Sequence, residues 1–274
     1  MTGAKELEME KIRLESVTKT FEIRDAGRNG GTRTFTALRD IDFAVKSGEF
    51  LTLVGPSGCG KSTLLDLLLG LSRPTKGRIL IDGRVIRGPG LDRGIVFQQY
   101  ALFPWKTARG NVEFGLEAQG VPKKERKERA EYYMELVGLK DFVNHYPHEL
   151  SGGMKQRVAI ARSLACNPDV LLMDEPFAAL DAQTRETLQA ELLRIWEKTR
   201  KTVIFITHSI DEAVFLGQRV VVLTPHPGTV RKIVEVPLKN RLFETDINAH
   251  PEYLKARSEV WNLLHELDYR RKKP

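Results

Sequence analysis

The sequence holds only two cysteines, Cys59 and Cys166, in 274 residues. A disulfide framework is thereby excluded, and such sparing use of thiols fits a reducing compartment and a cytosolic protein. Nor does any run approach the roughly 18 to 20 apolar residues that a membrane-crossing helix needs. The chain is not expected to span a bilayer by itself, and residues 1–10 lack the apolar stretch of a secretory signal. Sustained heptads are missing too, which removes long coiled-coil insertions. What is present is ordinary for a globular protein: 41% hydrophobic and 29% charged residues, enough for one large domain or two small ones. The net charge of +7 admits nucleic acid or an anionic membrane surface, but both signs are interspersed, as on a generally basic soluble surface.

One stretch organises the rest. Gly55-Pro56-Ser57-Gly58-Cys59-Gly60-Lys61-Ser62-Thr63 follows the apolar run Phe50-Leu51-Thr52-Leu53-Val54 and leads into Leu64-Leu65-Asp66-Leu67-Leu68-Leu69. A buried strand, a glycine-rich turn and a helix are predicted in succession. This is G-x-x-x-x-G-K-[ST], the P-loop, in its required context. With side chains out of the way, successive backbone N–H groups of such a turn wrap a chain of phosphates, and the helix N-terminus adds partial positive charge. Lys61 then reaches the terminal phosphates, and the Ser62 hydroxyl takes a place on Mg2+. Cys59, inside the loop, is expected to react with a thiol alkylator and to be protected by ATP.

Other segments add candidates. Residues 11–17 alternate weakly, as an edge strand does, and Phe21 closes that segment; a polar glycine-rich turn at 27–31 leads to a second β-like stretch, 34–45. From its residues alone Phe21 is a strand-end core aromatic. Residues 78–83 read as a short strand and turn. Residues 92–97 read as a strand that ends on Gln98, whose amide is either a ligand for Mg2+ or water at the sheet's carboxyl edge or a surface amide. The aromatic loop Phe103-Pro104-Trp105 is core or a docking surface. A helix is predicted over 122–137, with Ala130, Tyr133, Met134 and Val137 on one face and a mixed-sign, solvated start.

Leu150-Ser151-Gly152-Gly153-Met154 precedes a clear helix, 155–165. Ser151 caps it and two glycines leave its first amides bare, a second helix end suited to phosphate. Val170-Leu171-Leu172-Met173-Asp174-Glu175 is a buried strand ending in two carboxylates. Asp174 is placed to hold Mg2+ or its water and Glu175 to polarise an attacking water, the plainer alternative being an N-cap. A helix opening at 178–181 runs to about residue 200, with Leu188, Leu192, Ile195 and Trp196 as core. Strand 202–207 stops at His208, where a parallel sheet's carboxyl edge would place a γ-phosphate. A short helix at 211–216, a strand at 219–223, the turn His226-Pro227-Gly228 and a strand at 231–236 follow. Residues 250–269 form an amphipathic helix with Leu254, Val260, Trp261, Leu264 and Leu267 apolar, ending in Arg270-Arg271-Lys272-Lys273. It is expected to pack on the domain, with a partner or an anionic bilayer as the other option.

In this order the P-loop, Gln98, Leu150-Ser151-Gly152-Gly153, Asp174-Glu175, Leu180-Asp181 and His208 resemble an ATP-binding cassette ATPase, the motor subunit of ABC transporters, over about residues 12–236. Residues 100–105 and 207–213 look like the nitrate, sulfonate and taurine branch of bacterial importers. The resemblance implies an α/β fold: a P-loop NTPase core with a mainly parallel sheet, an antiparallel β subdomain and an inserted helical signature subdomain at about 99–165. The ATPase domain would be 11–236 and the helical tail 237–274. It implies that Phe21 stacks on adenine, Gly55 to Thr63 bind triphosphate, Ser62 and Gln98 coordinate Mg2+, and Asp174 holds it from further out. Glu175 would be the general base and His208 would touch the γ-phosphate. Ser151, Gly152 and Gly153 would complete the site of the opposite subunit in a head-to-tail dimer, with Asp181 at that interface. Implied partners are a second such ATPase, identical or related, transmembrane permease subunits and, indirectly, a solute-binding protein, at the cytoplasmic face of the bacterial inner membrane. Nucleic acid is not expected, although soluble relatives act on DNA or the ribosome. Met154 stands where many members have Gln and Ala178 where many have Ser; neither change removes a phosphate donor.

Overall fold

A computed structural model describes residues 9–24, 32–238, 241 and 247–271. The turn expected at 27–31, residues 1–8 and Lys272-Lys273 lie outside the described residues, and of Leu267, Arg270 and Arg271 only the helical backbone is described. In chain order the strands and α-helices are β1 (Glu10–Arg24), β2 (Thr32–Lys46), β3 (Phe50–Val54), α1 (Lys61–Leu69), β4 (Lys76–Ile81), β5 (Arg84–Val85), β6 (Arg93–Val96), α2 (Ala108–Ala118), α3 (Lys123–Leu136), α4 (Gly152–Ala165), β7 (Val170–Asp174), α5 (Ala182–Thr199), β8 (Thr202–Ile206), α6 (Ile210–Leu216), β9 (Arg219–Leu223), β10 (Val230–Glu235) and α7 (Pro251–Arg271).

Two sheets result. One is six-stranded in the order β10-β9-β3-β8-β7-β6, parallel except that β10 runs against β9. The other is four-stranded and antiparallel, β2-β1-β4-β5. The continuous apolar runs of β3 and β8 are buried at every position, as expected for parallel strands covered on both faces. Side chains alternate between faces. Leu51, Leu53, Leu172, Ile204 and Ile206 meet α1 and the antiparallel sheet, whereas Phe50, Leu171, Met173, Val203 and Phe205 meet α4 and α5. A third cluster joins Val220 and Val222 of β9 to α6 and α7.

Two expectations are corrected. Strand β1 is not an edge strand, for it pairs with β2 on one side and β4 on the other. Its alternation looked weak because the register shifts near Ser16, whose φ of 45° marks a bulge, so that Ile12, Leu14 and Val17 are all buried despite their uneven spacing. It also runs on past Phe21 to Arg24. Helix α7 does pack on the domain, but with Tyr253, Ala256 and Val260, which are 2%, 4% and 0% exposed. Leu254 and Trp261, expected on that face, are 49% and 44% exposed. The buried stripe follows the i, i+3, i+7 spacing of one helix face, and the small Ala256 lets α7 approach closely.

Candidate functional site

The P-loop leaves the carboxyl end of β3, and Gly60, with φ of 97°, occupies the left-handed backbone region just before α1. A Cβ there would lie 2.6 Å from Leu38 Cδ2 and 3.0 Å from the Ala37 oxygen, so only glycine allows the turn to lie this close to β2. Gly60 as N-cap offers no side-chain acceptor, which leaves the first α1 amides without a side-chain cap. Lys61 folds back across the loop, its Nζ donating to the carbonyls of Gly55 at 2.8 Å and Pro56 at 3.3 Å. Ser57, Gly58 and Ser62 are exposed beside it and Thr63 is half-buried.

Sequence reasoning missed what supports the loop from behind. The turn after β9 passes so near that a Cβ on Gly228 would overlap the Cys59 carbonyl oxygen, and Gly228 exchanges backbone hydrogen bonds with Ala37 and Arg39. Nothing local in His226-Pro227-Gly228 signals that role. The expected reactivity of Cys59 is also overturned. Its side chain is 0% exposed within the core under the loop, and burial pushes the thiol pKa up despite the nearby Lys61. We therefore expect iodoacetamide at neutral pH to leave Cys59 unlabelled in the folded protein, with or without ATP, as read by peptide mass spectrometry. Labelling of native protein at the rate of a urea-unfolded control would contradict this placement.

Because β3, β8, β7 and β6 are adjacent and parallel, their carboxyl ends bring the next candidates to one edge. Asp174 ends β7 half-buried. Its carboxyl pKa is raised by burial first and then by the charge of Glu175, with Lys61 opposing the shift. Glu175 adopts a φ of 43°, uncommon for a residue with a side chain, and its N–H donates to the Ile206 carbonyl at 2.9 Å. One Glu175 oxygen lies 3.1 Å from His208 Nδ1, and the imidazole is 65% exposed at the end of β8. Gln98, two residues beyond β6, is exposed. Among the described residues no three His, Cys, Asp or Glu side chains converge on a metal-sized point. Two adjacent carboxylates opposed by one lysine nonetheless suit a divalent cation whose other ligands are phosphate oxygens.

Phe21 is no core aromatic: it is 41% exposed, opposite the 38% exposed Phe35 of β2, with Lys19 Nζ 5.0 Å above its ring. Phe35 in turn stacks on His226 at 4.2 Å. In the loop after Gln98, Phe103 is half-buried and Trp105 is 71% exposed, flanked by the exposed Phe97 before Gln98 and Phe114 of α2. Two side chains that the sequence did not flag hold it. Asn111, 0% exposed, bonds Phe103 N and the carbonyls of Phe103, Lys106 and Thr107. Arg162 of α4 donates to the carbonyls of Tyr100 and Ala101, both at positive φ, and desolvation lowers its pKa.

The second glycine-bearing helix end forms as expected. The Ser151 hydroxyl caps α4 by accepting from the Met154 backbone N–H at 3.2 Å, a bond in which the Met154 side chain takes no part. A Cβ on Gly153 would meet Thr184 Cγ2 at 2.7 Å. Asp181 caps α5, and the hydrogen bond from Thr184 N holds its carboxyl below the usual range. Ser151 and Gly153 open on a cavity of about 410 Å³ shared with Met154, Gln183 and Thr184, and no P-loop residue lines it.

A family model described as ABC transporter matches residues 38–178. The chain is 53% identical over 93% of its length to an uncharacterized ABC transporter ATP-binding protein of Methanocaldococcus jannaschii, 92% of which is covered. It is 51% identical to a nitrate import ATP-binding protein of Synechocystis, covering 89% of this chain and 94% of that one. It is 48% identical to a taurine import ATP-binding protein of Rhizobium johnstonii, covering 86% and 92%. Among solved structures, a dimeric ATP-binding cassette in a post-hydrolysis state bound to ADP and Pi superposes with a TM-score of 0.68 at 35% identity, covering 83% of this chain and all of that one.

Proposed function

The chain belongs to the ABC transporter ATPases, and we propose that two copies, or one copy and a related chain, enclose ATP between them and drive import of a small anion of the nitrate, sulfonate or taurine kind. The supporting observation is the separation of the two phosphate-ready ends: the cavity on which the Ser151 end of α4 opens is lined by no residue of the P-loop. A head-to-tail pair completes each P-loop with the partner's Ser151, Gly152 and Gly153, with Asp181 at the interface. The solved cassette is itself dimeric and holds ADP and Pi.

Each side chain then has a task. Phe21, already exposed, stacks on adenine. Lys61 exchanges its bonds to the Gly55 and Pro56 carbonyls for the terminal phosphate oxygens, helped by the amides of Gly58 to Thr63. Ser62 and Gln98 would hold Mg2+, with Asp174 further out. The ion, when bound, draws charge from the phosphates. Glu175 accepts the proton of the attacking water. His208, 3.1 Å from Glu175, donates toward the γ-phosphate. Once that phosphate is cleaved, contacts made to both copies are lost and the pair loosens, a population shift set by differential affinity for ATP and ADP.

The segment 98–105, with Trp105 71% exposed, lines the groove that receives a cytoplasmic helix of the permease. We assign 11–236 to the ATPase domain, about 99–165 to its helical part and 237–274 to the tail. No helix among the described residues is long and apolar enough to cross a membrane. By likeness to import ATP-binding proteins, the subunit acts peripherally, at the cytoplasmic face of the inner membrane through a permease, with a solute-binding protein delivering cargo from the other side.

Deleting the gene should abolish uptake of one of labelled nitrate, taurine or an alkanesulfonate by the source cells. The wild-type gene should restore it and a Glu175→Gln copy should not. Unchanged uptake of all three would overturn the cargo assignment. Salt-sensitive nucleic-acid binding by the purified protein, with no membrane association, would overturn the transport role.

A further inference from the structure

We propose that helix α7 is a positioning device for His208, acting through Asp211, a proposal that rests on the reading of His208 given above. His208 itself is exposed and, among the described residues, hydrogen-bonds through its ring to Glu175 alone. What is firmly held is the turn that carries it. Thr207, 1% exposed, donates its hydroxyl to Glu212 Oε2 at 2.5 Å, Ser209 N donates to Thr207 Oγ1 at 3.0 Å, and Ser209 caps α6 by accepting from Glu212 N.

That turn is gripped from two sides. On one, the buried Glu212 receives Gln189 Nε2 of α5 at 3.3 Å, with Arg185 Nε 3.7 Å away. Helix α5 is the one that Asp181 opens, so this grip ties His208 to the expected subunit interface. On the other side, Asp211 Oδ1 receives both Tyr253 Oη at 3.2 Å and Arg257 Nε at 2.6 Å from α7. Asp211 stands only three residues after His208, in the first turn of α6.

The Arg257 and Asp211 side chains are 44% and 60% exposed, so the fixed part of the α7 grip is Tyr253. Tyr253 is 2% exposed, and its hydroxyl is delivered to the carboxylate by a ring buried among Ala213, Val214 and Val220. Burial and the adjacent Asp211 keep that hydroxyl protonated, so it remains a donor. Two donors converging on one carboxylate oxygen fix the rotation of the α6 first turn and with it the direction in which His208 leaves the sheet edge. The tail thereby reaches a γ-phosphate contact that it does not itself touch.

The test uses the full-length chain with Arg257→Ala, His208→Ala and the double variant, each followed by steady-state ATP hydrolysis. Arg257→Ala should lower kcat by about tenfold, the scale of a misplaced catalytic contact, and leave KM for ATP nearly unchanged. Tyr253→Phe, which removes one hydroxyl and no packing, should move kcat in the same direction, and Arg257→Lys should restore part of the loss. The double variant should be no slower than His208→Ala alone, because the anchor acts only through that side chain. If the two losses multiply in the double variant, or if Arg257→Ala raises KM and spares kcat, the positioning role is wrong while the role of His208 stands. If His208→Ala hydrolyses ATP at the wild-type rate, the reading of His208 falls and this proposal falls with it.

Discussion

Glu175→Gln should bind Mg-ATP, lose hydrolysis by about 10²- to 10⁴-fold, the span typical of a general base, and accumulate as a nucleotide-bound dimer. The amide is nearly isosteric, so the approach to His208 Nδ1, now 3.1 Å, is kept. What disappears is the ability to accept a proton from water. Electrostatics point the same way for binding. Asp174 is already pushed toward its neutral form by burial and by the charge of Glu175, and only Lys61 opposes this. Removing one negative charge from a site that admits a triphosphate relieves repulsion, so affinity should hold or rise. With cleavage blocked, the ATP-dependent contacts of the proposed pair should persist. Light scattering should show the doubled mass with Mg-ATP and the single mass with Mg-ADP. Wild-type turnover would remove Glu175 from the role of base. A monomer at saturating Mg-ATP, with turnover lost, would instead sink the two-copy arrangement and leave Glu175 in place.

Much of this site was legible in the sequence because its parts are local. The P-loop declares itself through glycine and lysine spacing after an apolar run, β7 announces its end by the acids Asp174 and Glu175, and β8 runs apolar to Thr207-His208. Strand ends of a parallel sheet gather at one edge by topology alone, so Lys61, Glu175 and His208 could be grouped before any coordinates. Elsewhere the signal was missing for identifiable reasons. A bulge at Ser16 breaks the period of β1, and the broken period disguised an inner strand as an edge. Helix α7 carries apolar residues on more than one side, and only the face of β9 and α6 decides that Tyr253 goes in and Trp261 stays out. Gly228, Asn111 and Arg162 act on backbone atoms far away in sequence, or on a loop whose conformation is not encoded in their own neighbours. The burial of Cys59 belongs to the same class: a loop residue in sequence, it is a core residue in space.

Lys61→Ala should weaken ATP binding itself, before any chemistry. Its ammonium already donates to the Gly55 and Pro56 carbonyls at 2.8 Å and 3.3 Å, so the substitution removes a brace of the loop as well as a charge for the phosphates. A charge-assisted hydrogen bond is worth about 1.5 to 3 kcal/mol, so loss of a single one raises Kd by roughly 10- to 150-fold. Titration with a fluorescent ATP analogue would read that change directly. A second readout separates charge from shape. Asp174 has a raised pKa in the folded protein, so its contribution to stability is present at acid pH and is lost as pH rises through the folded value. Lys61 is the group that restrains this shift, and without it the pKa rises further. Thermal unfolding of the nucleotide-free variant should therefore match the wild type most closely near about pH 4 and fall progressively below it toward about pH 7. Lys61→Met, similar in length and without charge, should show the same pH trend. An unchanged Kd in both variants would place the phosphates elsewhere, and a pH-independent stability gap would mean that Lys61 does not share a field with Asp174.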